Sequence, residues 1–141
     1  MMKVKENDVK KYLFSLLAIS ALVRCFLAFF IEFGNDEVYY WTYAMYPDWS
    51  HFDHPPMVGL FIQLFSGNLL LANEFFLRLS SVICMTVNTY LMYLIGKQVK
   101  SEQTGFYAAL LYTASVYAFV ITGVFILPDT PLSIFTFLAV L

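Results

Sequence analysis

Charge is scarce in this chain. Only 13% of its 141 residues are Asp, Glu, Lys or Arg, against roughly 25% in an ordinary soluble domain. With 60% hydrophobic residues and a mean hydropathy of +0.70, that shortage excludes a soluble globular domain and points to an integral membrane protein. The net charge of −2 gives no basic surface for nucleic acid, and no such partner is expected. Cysteine is nearly absent too. Cys25 and Cys84 both fall inside apolar runs, where they read as small buried hydrophobes. Their spacing supports neither a disulfide framework nor a metal site. No small-residue cleavage site follows the charged start "MMKVKENDVKK", so the first apolar run reads as a retained anchor and not a signal peptide. Internal repeats and low-complexity linkers are missing. So are lysine and arginine throughout residues 34–77.

What is present is apolar length. A first span is predicted over Tyr12 to Phe33, at 1.5 Å per residue a helix of about 33 Å. The run "PPMVGLFIQLFSG" is too short to cross a bilayer. It reads as an interfacial or re-entrant helix opened by Pro56 and closed at Gly67. Further spans are predicted over 75–95 and 106–127, and a fourth apolar run starts after Pro131 and stops at Leu141. The expectation is an all-α membrane bundle, incomplete as it stands. The chain reads as the N-terminal part of a longer protein and is not expected to be active alone. No span shows the Gly/Pro break of a transporter.

Lysine placement sets an orientation. Lys3, Lys5, Lys10 and Lys11 crowd the N-terminal tail, and Lys97 and Lys100 sit in the 97–104 link. Those parts are expected on the cytoplasmic side. The 34–73 loop and the "PDTP" turn are then extracytoplasmic, which puts Asp36, Glu37, Asp48, Asp53 and Asp129 on one face.

The loop itself is dense in chemistry. "GNDEVYYWTYAMYPDWSHFDHPP" holds four carboxylates, both histidines and both tryptophans. Asn35 or Asp36 caps a helix running from Asp36 to about Tyr46, stopped by Pro47. Asp36, Tyr40 and Tyr43 then share one face, and the aromatics suit a membrane interface. An amphipathic surface helix with a solvated acidic cap accounts for this. So does an acid site held against a substrate whose tail lies in lipid, where a carboxylate takes a proton from an acceptor. "HFDHPP" offers His51, Asp53 and His54. These suit a divalent metal, a proline-locked turn, or imidazoles facing a phosphate. Arg24 lies in mid-span, where an arginine faces a cavity or a partner, or snorkels. Arg78 follows Glu74 at i, i+4 and reads as its structural partner.

The order of these pieces resembles the N-terminal part of the GT-C glycosyltransferases. The shared elements are a first span, "DEVYYW", "HFDHPPM", a "RLSS" helix start, and "PDTPL" after the third span. The chain is most similar to the protein O-mannosyltransferase clan and its aminoarabinose-transferase relatives, and the likeness covers nearly its whole length. The resemblance implies a polytopic enzyme that moves a sugar from a polyprenyl-phosphate donor to a protein, lipid or glycan acceptor, with inversion. It implies a bacterial inner membrane and an extracytoplasmic active face. Asp36 would be the general base, with Glu37 beside it and Asp129 as a second acidic position. His54 stands where some relatives carry lysine before the proline pair, and would meet the carrier phosphate. Tyr40, His51 and Arg24 are the further substrate-binding candidates, and a divalent metal is left open. Asp36 and Asp129 are expected to meet across one cavity. A transporter and a non-catalytic membrane module are the rival readings.

Overall fold

The computed structural model describes residues 6–141. Lys3 and Lys5, counted for orientation, lie outside them. The described chain is helical, with no strand among these residues. In order come α1 (Glu6–Phe30), α2 (Asn35–Met45), α3 (Met57–Phe65), α4 (Glu74–Val99), α5 (Glu102–Ala114), a π-turn (Tyr117–Ile121), α6 (Thr122–Val124) and α7 (Asp129–Val140). Helices α1 and α4 are each long and apolar enough to cross a bilayer. The all-α membrane bundle expected from composition is therefore what the chain forms.

Local signals explain most boundaries. The Asn73 side chain accepts the Phe76 amide at 3.0 Å and starts α4. Ser101 does the same for α5 through the Thr104 amide. Helix α3 ends where Gly67, Asn68 and Leu69 all take positive φ. Gly67 adopts that backbone without cost, as expected of a helix terminator. Helix α7 opens with Asp129 and carries Pro131 in its first turn, where a missing amide costs nothing.

One boundary departs from expectation. The run 106–127, read as one continuous span, is two helices bent by 76°. Helix α5 stops at Ser115, whose ψ of 126° is extended, and the chain restarts as the π-turn. No proline or glycine marks the break, so neither hydropathy nor breaker residues announce it.

Helix α4 is the axis of the bundle, packed against α1, α3, α5, α6 and α7. Val9, Leu13, Tyr93 and Ala109 close one end. At the other, Tyr40, Tyr43, Ala44, Val58, Ile62, Leu77 and Ile126 form the core under α2 and α3. Gly59 lets these two short helices touch. A Cβ there would lie 2.7 Å from the Tyr43 carbonyl carbon. Lys10, Lys11, Lys97 and Lys100 belong to the first end, and Asp36, Glu37, Asp48, Asp53 and Asp129 to the second, acidic one.

Candidate functional site

The acidic end is built around an ion pair that the sequence hides. Glu37 is 2% exposed and Arg78 fully buried. Arg78 donates to Glu37 from Nε at 2.8 Å and from Nη2 at 2.6 Å, a two-pronged geometry that fixes both planes. It does not turn back along α4 to Glu74. Its remaining donors reach the carbonyls of Ala28, Ile31 and Glu32, the unpaired carbonyls at the end of α1. The Glu37 carboxylate also accepts the Gly34 amide at 3.1 Å and the Ile126 amide at 3.1 Å. Gly34, not Asn35 or Asp36, is thus the cap of α2. One carboxylate and one guanidinium join α1, α2, α4 and the segment leading to Asp129. With all this bonding Glu37 holds this end together, and it also lines the cleft that its neighbour Asp36 opens onto.

Asp36, next to it, is exposed. It lines a cleft of about 530 Å³ with Glu32 and Asn35, walled by Ile31, Ile121, Phe125 and Leu127. Asp129 is also exposed and lines a second groove of about 300 Å³ with His54, Pro55, Met57, Leu132 and Phe135. The two carboxylates therefore do not face each other across one cavity. The turn that carries Asp129 contributes Leu127 to the first cleft and Pro128 to the second. Tyr40 is buried in the core beneath this end. Its hydroxyl is pushed above the usual phenol range by burial first, then by the charges of Asp53 and Asp36, with Tyr39 and Asp129 adding less. Asp36, Asp53 and Asp129 all act on this one hydroxyl.

"HFDHPP" folds as an aromatic-lined turn. Asp53 accepts the Tyr43 hydroxyl at 2.5 Å and the Tyr39 hydroxyl at 2.8 Å. Those two bonds, Tyr43 first, hold its carboxyl below the ordinary range, with His54 helping against a weaker pull from burial. His54 lies 3.7 Å from Asp53 and against the Tyr40 ring. His51 goes elsewhere. It stacks on Tyr43 at 3.6 Å, and its Nε2 is buried without a partner. Stacking on one side and hydroxyl bonds on the other keep the three apart as ligands. Among the described residues no three His, Cys, Asp or Glu side chains gather to hold a metal ion.

Arg24 is not in the site. It is fully buried, donates from Nε to the Phe119 carbonyl at 3.3 Å, and lies over the Phe119 ring. An arginine in mid-span needs a partner; here Nε meets the backbone of the π-turn, while Nη1 and Nη2 are buried with no hydrogen-bond partner among the described residues.

The groove that joins His54 to Asp129 lies within the stretch that decides the family. The sequence profile of the dolichyl-phosphate-mannose-protein mannosyltransferase family matches residues 53–141. The chain belongs to that family. No curated protein and no solved structure matches it. Membership makes this a membrane glycosyltransferase of the GT-C type, and the transporter and scaffold readings give way to it. The family stretch includes His54, Arg78 and Asp129, while Asp36 and Glu37 precede it. Sequence reasoning missed Arg78, Glu32 and Tyr117 as members of this end. Arg78 left a signal, being the first cation after the long stretch without one.

Proposed function

We propose that the acidic end is the catalytic face of an enzyme that moves a sugar from a polyprenyl-phosphate donor to an acceptor on the extracytoplasmic side of a bacterial inner membrane. The observation that carries this reading is that Asp36 stands exposed in one cleft and Asp129 with His54 in a second, both with apolar walls, at the same end of the bundle. A donor with an isoprenoid tail needs this combination. Its sugar and phosphate require polar groups while its chain stays in hydrocarbon. Lysines gathered at the opposite end support the orientation.

The reaction is a displacement at the anomeric carbon. The acceptor oxygen or nitrogen attacks, the bond from carbon to phosphate oxygen breaks, and the electron pair leaves with polyprenyl phosphate. Attack from the far side inverts the carbon. Asp36 is the base that takes the acceptor proton, because its carboxylate is exposed in the larger cleft while that of Glu37 is fully engaged. His54 gives a hydrogen bond to the leaving phosphate from the same groove as Asp129. Asp129 and Tyr40 accept and give hydrogen bonds to sugar or acceptor hydroxyls.

Asp36→Asn in the full-length protein tests the base. The amide cannot take a proton, so transfer should fall by about 10²–10⁴-fold with a panel of polyprenyl-phosphate sugars. Folding should be untouched, since Gly34 and Glu37 make the cap. Asp48→Asn, in an exposed loop whose side chain bonds only its neighbour's amide, should be silent. Near-normal turnover in Asp36→Asn would remove the base assignment.

A further inference from the structure

We propose that Tyr117 is a positioning residue for Asp129, and that the break in the third span exists to place it there. The proposal rests on Asp129 belonging to the site. The Tyr117 hydroxyl donates to Oδ2 of Asp129, whereas Oδ1 accepts no hydrogen bond among the described residues. A carboxylate on an exposed turn is otherwise free to rotate about two bonds. A phenol on one oxygen fixes its plane and leaves the other oxygen for a ligand. Both residues line a further cavity of about 310 Å³ with Tyr112, Thr122, Ser133 and Thr136.

Tyr117 reaches Asp129 because it opens the π-turn. The helix stops at Ser115 and resumes at 76° to its former direction. A break in hydrocarbon frees backbone carbonyls that must find donors. Three carbonyls past the break have donors from side chains. The Tyr117 carbonyl accepts the amide and the hydroxyl of Thr122, the hydroxyl at 3.1 Å. The Phe119 carbonyl accepts Nε of Arg24. Gly123 makes room for that arginine, since a Cβ there would lie 2.8 Å from Nε. The Thr130 hydroxyl donates to the Thr122 carbonyl at 3.0 Å, which ties the Asp129 turn to the same piece of chain. π-Turns of this kind occur most often at functional sites. An arginine buried in mid-span with its Nε on the π-turn and a span broken without proline or glycine are explained together: both serve the placement of Tyr117.

The test uses Tyr117→Phe, Asp129→Asn and the double variant in full-length protein, assayed with a polyprenyl-phosphate sugar that the wild type accepts. Tyr117→Phe keeps the ring and removes only the hydroxyl, so its thermal unfolding should match the wild type. Its kcat should fall about ten- to a hundredfold, the range for a lost hydrogen bond to a charged group, while the donor KM stays the same. The double variant should be no slower than Asp129→Asn, because the two residues act as one unit. A Tyr117→Phe enzyme with wild-type kcat beside a crippled Asp129→Asn overturns the proposal alone. So do losses that multiply in the double variant. An Asp129→Asn enzyme with normal kcat overturns both this proposal and the place of Asp129 in the site.

Discussion

At the scale of single residues, the contrast between Asp36 and Glu37 governs this molecule. They are neighbours on one helix turn, yet one is open to solvent and the other is 2% exposed. Helical geometry turns adjacent side chains about 100° apart, so one faces the cleft and the other faces Arg78. Breaking a buried ion pair by removing one partner leaves an uncompensated charge and costs about 3–5 kcal/mol. Glu37→Gln should therefore lower stability by about that amount, visible as an early thermal transition in detergent. The Gln amide also keeps only one of the two oxygens that accept the amides of Gly34 and Ile126. A matched apolar pair at 37 and 78 should recover much of the loss, because desolvation is then avoided. A Glu37→Gln protein as stable as wild type would show that the pair does not hold this end together.

At the scale of elements, α2 and α3 form a pair held by close approach. Gly59 faces the Tyr43 backbone, with its would-be Cβ within 2.9 Å of three atoms. The Gln63 side chain donates to the Ala44 carbonyl at 2.9 Å and ties the same pair. Gly59→Val must push the helices apart, and overpacking of this kind costs about 1–3 kcal/mol. The expected readout is faster protease cleavage within residues 46–56 together with loss of transfer, since Tyr40, Asp53 and His54 all depend on this contact. Unchanged cleavage would mean the two helices are held by other contacts. The broken third span belongs to this scale as well. Two of its side-chain hydrogen bonds come from α1 and from the Asp129 turn, which tie it to the bundle.

At the scale of the whole molecule, charge is segregated along the bundle axis while the flanks stay apolar. Phe14, Ile19, Leu22, Phe26, Phe29 and Phe30 of α1 are exposed, a surface that suits lipid chains and not water. The lysine-bearing end is expected in the cytoplasm and the acidic end outside. Ser50→Cys should react with a membrane-impermeant thiol reagent added to intact cells, and Ser101→Cys should react only after permeabilisation. Labelling of Ser101→Cys alone would reverse the orientation and place the acidic end away from an extracytoplasmic donor.

The sequence by itself determined the local features: apolar length for α1 and α4, the stop at Gly67, and an aromatic acidic helix after the first span. Each depends on residues within a few positions of one another, and that proximity makes it legible. Tertiary structure decided the partners. Arg78 chose Glu37, 41 residues away, over Glu74 one turn away, because burial at the meeting of three helices favours a two-pronged contact over an exposed surface pair. His51 and His54 parted because one found a ring to stack on and the other a carboxylate. The third span broke with no proline or glycine because its freed carbonyl had a donor in Arg24, 95 residues earlier. Such choices follow from which helices pack together, and only the assembled bundle makes those distances short.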